Sequence, residues 1–225
     1  MTPAPDLEAI AARARAGGLA VLGAFHPLPA DCVPEGCATL VLLGPDEPGF
    51  WPHFRASPEA RDGGDHPLDR WSRRVVGGLA GAMGASALHP FGGPPHQPFI
   101  AWALRSGRAW ASPVGLLVHD TAGLFVSYRG ALAFAARIEL PAAGRRPCDG
   151  CSAPCLGACP AGALTGAGYD VAACHAYLDT GPGAACMGRG CAVRRACPVG
   201  SGRRVEAQSA FHMADFHGKG SACDG

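Results

Sequence analysis

Four cysteines crowd the segment RPCDGCSAPCLGACPAGAL: Cys148, Cys151, Cys155 and Cys159, the last followed at once by Pro160. Their spacing is Cx2Cx3Cx3CP. The bacterial iron–sulfur run is Cx2Cx2Cx3CP, in which three thiolates hold one cube and the fourth reaches a second. One extra residue separates Cys151 from Cys155. A later block, CMGRGCAVRRACPVG, supplies Cys186, Cys191 and Cys197, the last again followed by a proline, Pro198, and Cys174 lies between the blocks in DVAACHAYL. Two [4Fe–4S] clusters need eight thiolates. The stretch from 148 to 197 contains eight. The spacing thus predicts Cys148, Cys151, Cys155 and Cys197 on one cluster, and Cys159, Cys174, Cys186 and Cys191 on the other. A proline after each crossing cysteine lacks an N–H and turns the chain off the cluster sulfurs.

Zinc is the main competing metal, since structural zinc also takes four cysteines. Its sites favour paired CxxC knuckles, and here only Cys148 and Cys151 have that spacing. A zinc-bearing interaction module with a basic patch is therefore the third-ranked reading. Disulfides rank last, because dense cysteine spacing in a reducing compartment favours metal ligation. Cys32, Cys37 and Cys223 have no cysteines beside them and read as ordinary thiols.

Of 11 cysteines, nine fall from Cys148 onward. That asymmetry divides the 225-residue chain into an expected domain over 1–145 and a second over 146–225, with PAAGRRP (141–147) as linker. The formal net charge of +1 leaves no basic excess for a nucleic-acid surface. Arg189, Arg194, Arg195, Arg203 and Arg204 crowd the last cysteines, where they offset thiolate charge or face an acidic partner. No basic stretch followed by an apolar one opens the chain, and no run of about 18 apolar residues occurs. The expectation is a cytoplasmic protein with no membrane segment.

Elements must hold this chemistry in place. Asp6 caps a first helix that Gly17 and Gly18 stop. GLAVLGAF (18–25) and ATLVLLG (38–44) read as buried strands. Leu68, Trp71, Val75, Leu79 and Met83 recur at three and four, predicting a helix face despite several glycines. FIAWALRSG predicts a short helix stopped by Gly107. VGLLV and LFVSY around the turn HDTAG predict a hairpin, with ALAFAARIEL as a further strand. Asp170 caps a short helix carrying Cys174. The order indicates an α+β fold rather than a doubly wound parallel sheet.

The tail, CDGCSAPCLGACPAGAL, then CHAYL, then CMGRGCAVRRACPVG, resembles the two-cluster ferredoxin module of epoxyqueuosine reductases and corrinoid-dependent reductive dehalogenases. In that family a cysteine before a Tyr-Leu segment sits between the motifs, as Cys174 does before Tyr177 and Leu178. GRAWASPVGLLV (107–118) is similar, without a gap, to the family's corrinoid-pocket segment GLGWIGKNGLLI, with Pro113 and Val114 in place of Lys and Asn. GGDHPLDRW and LFVSYRGALAF also resemble family segments.

The resemblance implies a nitroreductase-like, mainly antiparallel domain before a ferredoxin-like one. It also implies two [4Fe–4S] clusters and a cobalamin or other corrinoid against Gly107, Trp110, Ser112, Gly115 and Leu116. The family's proton-donating Asp falls at Gly93, and no Asp or Glu occurs from Trp71 to His119. His89 and His96 are nearby histidines whose chemistry suits proton donation or metal ligation, although an ordinary hydrogen-bonded role outweighs this. The family's C-terminal helical repeats are absent as well, so action on tRNA is not expected.

The leading expectation is an iron–sulfur oxidoreductase passing single electrons to a corrinoid or other cofactor, with a redox partner protein and a small-molecule substrate. The alternative is an electron carrier or corrinoid-handling protein without substrate chemistry of its own.

Overall fold

A computed structural model describes residues 6–220, so Cys223 lies outside the described residues. The chain forms two compact units, Met1–Ala109 with Ser127–Arg145, and Trp110–Val126 with Arg146–Gly225.

The first unit is built on one sheet. Helix α1 (Leu7–Ala16) starts where the Asp6 carboxylate accepts the Ala9 N–H at 2.7 Å and ends at Gly17. Strand β1 (Leu19–Phe25) returns as β2 (Thr39–Pro45), antiparallel from Leu19 opposite Pro45 to Phe25 opposite Leu40. Helices α2 (Phe50–Arg55) and α3 (Pro67–Met83) lead to β3 (Ser86–Leu88) and helix α4 (Phe99–Arg105).

A later strand, Gly130–Phe134 (β6 in chain order), pairs antiparallel with β2 and with β3, giving the order β1-β2-β6-β3. Every residue of β2 and of the Gly130–Phe134 strand is buried. That explains why both read as unbroken apolar runs rather than alternating ones. The fold is thus mixed α and β with a mainly antiparallel sheet.

Helix α3 turns a different face inward from the one its large residues suggest. Leu68 and Trp71 are buried as expected, but the line continues through Ser72, Val76 and Ala80, while Val75, Leu79 and Met83 are not buried. The helix packs on β3 and on the Gly130–Phe134 strand, where an added Cβ at Gly130 would come within 2.9 Å of the Val76 side chain. The missing side chain at Gly130 lets the helix approach there, and that outweighs side-chain size in the helix. The short α2 and β3 were not legible in the sequence. Phe50 and Phe54 of α2 pack edge-on against Trp71, with ring centroids 5.3 and 6.1 Å away.

In the second unit the elements are short. Strands β4 (Ala109–Ala111) and β5 (Leu117–His119) form a ribbon. After the cysteine loop come the two-residue strands β7 (Leu164–Thr165) and β8 (Gly168–Tyr169), then helices α5 (Val171–Leu178), α6 (Ala184–Arg189), α7 (Ala192–Arg195) and α8 (Glu206–Gly220). Asp170 caps α5 as expected, its carboxylate accepting the Ala173 N–H at 2.9 Å.

Two expectations fail here. LFVSY is not a strand, and VGLLV pairs with β4 instead. HDTAG folds on itself through paired His119 and Gly123 backbone bonds. The carbonyls of Leu124 and Phe125 are then taken by guanidinium N–H groups of Arg194 and Arg204. Residues 110–126, expected in the first domain, belong to the second unit because Val114, Val118 and Leu124 share an apolar core with Cys155, Leu164 and Val193.

A carboxylate grip ties α3 to the loop before it. Glu59, 8% exposed, receives the Arg74 fork at 2.5 and 2.9 Å. The Arg74 hydrogen bond lowers the Glu59 carboxyl from its ordinary 4.5 to about 2. The unfolded chain therefore takes up this proton first as pH falls. The stabilisation is complete above about pH 4.5 and is lost down to about pH 2. We expect Glu59→Gln to lower the melting temperature at neutral pH, with the difference from wild type shrinking below pH 4.5. A difference that does not change with pH contradicts this role.

Candidate metal centre

The site grows from a tight turn. Between β4 and β5 the Ser112 N–H donates to the Leu116 carbonyl at 2.9 Å, and the Gly115 N–H donates to the Ser112 carbonyl at 3.0 Å. Gly115 has φ 75. This is a three-residue hairpin loop: Pro113 and Val114 form the turn, and a left-handed glycine makes the bulge. It fixes Ser112, which is 7% exposed and whose Oγ is buried without a hydrogen-bond partner. Leaving a hydroxyl so costs about 1–3 kcal/mol.

Ser112 lines a cavity with about 370 Å³ of atom-free space, including the open solvent at its mouth. Cys148, Cys151, Cys155 and Cys197 line the same cavity, and its remaining walls are apolar, among them Val118, Leu124 and Pro154. The first three thiols come from one loop. The Arg146 guanidinium anchors that loop on the Ala111 carbonyl at 3.0 Å, and a 3₁₀ turn (Pro154–Gly157) buries Cys155. The fourth, Cys197, arrives from beyond α7. Gly123, with φ 56, lies against it: an added Cβ would collide with the Val199 carbonyl and sit 3.2 Å from the Cys197 sulfur.

Electrostatics sorts the thiols. Burial pushes the Cys148 thiol up; nearby Arg146 opposes this, while Cys151, Cys155 and Cys197 push it up further. Cys155 is raised by burial, then by Cys197 and Cys151. Cys174 is raised by burial, lowered by a hydrogen bond with the Tyr169 hydroxyl, and raised by Cys191, Cys159 and Cys186. The structure therefore brings Cys148 beside Cys151, Cys155 and Cys197, and Cys174 beside Cys159, Cys186 and Cys191.

Of the crowded arginines, Arg194 lies near Cys191 and Tyr169. It donates to the Leu124 carbonyl; burial pulls its pKa down, while Cys191 and Tyr169 hold it up. Among the described residues no carboxylate pairs with it. Arg189 pairs with Glu206 at 2.7 Å, Arg195 donates to the Gly190 carbonyl, and Arg204 lies over the Phe125 ring. Tyr169 stands in the two-residue strand β8, and no spacing motif in the sequence signals that this strand brings it to Cys174.

The donor set suits iron–sulfur ligation. Crowded thiols in an apolar cavity resist ionising one another and need a concentrated positive charge to do so. Among the described residues no group of three or more His, Cys, Asp or Glu side chains is gathered to hold a single metal ion. A lone zinc would draw its thiolates to about 3.8 Å from one another, given a Zn–S length of about 2.3 Å. The first four thiols line a cavity whose other walls are apolar.

The residues matched to a corrinoid pocket divide. Gly107 follows α4 in the first unit, and its carbonyl accepts the Gly144 N–H at 2.9 Å. Trp110 and Leu116 pack on the core of the cysteine-rich unit, beside Ser112 and Gly115 of the turn. In the first unit His89 is lowered by burial and stacks on Phe91, with ring centroids 5.1 Å apart, while His96 is exposed. In the first unit the Cys32 and Cys37 thiols donate to the Ala30 and Thr39 carbonyls. Compared with known proteins, the chain matches no protein-family model, no curated protein and no solved structure.

Two substitutions test the sorting. Cys155→Ala and Cys174→Ala should each lose about half the iron, one cluster of two, when the proteins are purified without oxygen and assayed for metal. A Cys174→Ala protein with a full iron load contradicts the assignment.

Proposed function

We propose that this chain is an iron–sulfur electron-transfer protein whose cysteine-rich unit holds two [4Fe–4S] clusters, one on Cys148, Cys151, Cys155 and Cys197, the other on Cys159, Cys174, Cys186 and Cys191. The observation that carries the reading is the gathering of eight thiols into two neighbourhoods of four, the first of them lining an apolar cavity. When bound, such a cluster takes up and releases single electrons.

The protein's own residues do the rest. The thiolates bind and orient. Val118, Leu124 and Pro154 keep water from the first site. Arg194 offsets negative charge at the second, where the Tyr169 hydroxyl also meets the Cys174 sulfur. Zinc fits less well, because its sites favour paired CxxC knuckles and only Cys148 and Cys151 have that spacing.

The electron acceptor is the open choice between a corrinoid held by the chain and a redox partner protein. One observation favours the partner: Trp110 and Leu116, which the resemblance assigns to a corrinoid pocket, are spent on the core of the cysteine-rich unit. The position of the family's acid, Gly93, offers no proton donor for substrate chemistry.

The test uses protein purified without oxygen, reduced with dithionite and desalted. We expect about two electrons per chain, one from each cluster, to pass to an oxidised one-electron dye, and no spectral change on adding hydroxocobalamin to the oxidised protein. A cobalamin shift on mixing favours the corrinoid-bound enzyme, and failure to reduce the dye contradicts electron transfer.

A further inference from the structure

Ser112 is the polar side chain in the first cavity for which cysteine ligation leaves no role. Its Oγ is buried and unpartnered, and it lines the same space as Cys148, Cys151, Cys155 and Cys197. The other lining residues, Pro113, Val118, Leu124, Pro147, Ala153 and Pro154 among them, offer no side-chain acceptor. Sulfur is the acceptor that remains for the hydroxyl proton. The hairpin loop holds the residue there through backbone bonds on both its N–H and its carbonyl, so its position does not depend on what the side chain meets.

We propose that Ser112 donates an O–H···S hydrogen bond to the cluster held by these four cysteines and raises that cluster's reduction potential relative to the other. The inference rests on the two-cluster reading. An added electron makes the cluster sulfurs more negative, and a hydrogen bond to a more negative acceptor is stronger. The bond therefore stabilises the reduced state more than the oxidised one, and hydrogen bonds to sulfur are among the levers that set such potentials. Ser112 is thus a positioning and tuning residue and not a ligand.

The experiment is an EPR-monitored potentiometric titration, with dithionite as reductant, of the full chain purified without oxygen. We expect Ser112→Ala to keep its iron and to move the midpoint of one cluster negative, by about tenfold in the one-electron equilibrium, or about 59 mV. The other midpoint stays in place. In a Cys174→Ala background, where only the first cluster remains, the same substitution moves the sole signal. Ser112→Thr, which keeps the hydroxyl, holds the wild-type potential.

Iron-loaded Ser112→Ala with both midpoints unchanged overturns the proposal and leaves the cluster reading intact, as does a threonine variant shifted as far as the alanine one. If the alanine variant does not load, Ser112→Gly is titrated by the same criteria. Wild-type protein without iron defeats the underlying reading, and the proposal with it.

Discussion

The constraint on which the cysteine-rich unit depends is the mutual repulsion of thiolates. Cys148 and Cys155 are each pushed toward the neutral thiol by burial and by the sulfurs around them, and Cys174 is in the same position among Cys159, Cys186 and Cys191. Such groups can all ionise only around a compact positive charge, so metal loading, as proposed, would be one event with proton release. Around the first cavity the elements are short. The unit's strands run two or three residues, and its shared core is Val114, Val118, Leu124, Cys155, Leu164 and Val193. Small cores of short elements commonly need a metal or another staple.

Other features follow from gathering sulfurs that are far apart in sequence. Cys197 must return to the loop of Cys148 to Cys155, and Gly123 clears the space in which Val199 and Cys197 pass. Arg194 and Arg204 spend N–H groups on the Leu124 and Phe125 carbonyls, holding residues that would otherwise be a free edge. Asp170 starts the helix that carries Cys174. The first unit has a different logic. Its central strands are buried over their whole length, and Val76 of α3 packs where Gly130 of the sheet has no side chain.

Much of this was legible in the residues. The caps at Asp6 and Asp170 and both long apolar strands follow from local chemistry, and spacing sorts the cysteines into the two groups on which the proposed function rests. What escaped has tertiary causes. The inward face of α3 is set by the close approach that Gly130 of the sheet permits, and residue size in the helix does not report that. LFVSY has strand composition, yet arginines from a distant segment occupy its backbone acceptors. Ser112 was noticed only through a family resemblance that assigned it to a corrinoid. Its place in the thiol-lined cavity comes from a hairpin loop whose alignment with Cys197 no local pattern reveals. Tyr169 at Cys174 is likewise a product of folding.

The proposed function turns on whether the cysteine-rich unit holds iron. The decisive measurement is the iron, acid-labile sulfide and zinc content of the full chain purified and handled without oxygen. Two cubes predict about eight iron and eight sulfide per chain, with zinc well below stoichiometric. One or two zinc ions per chain with no iron and no sulfide would contradict it.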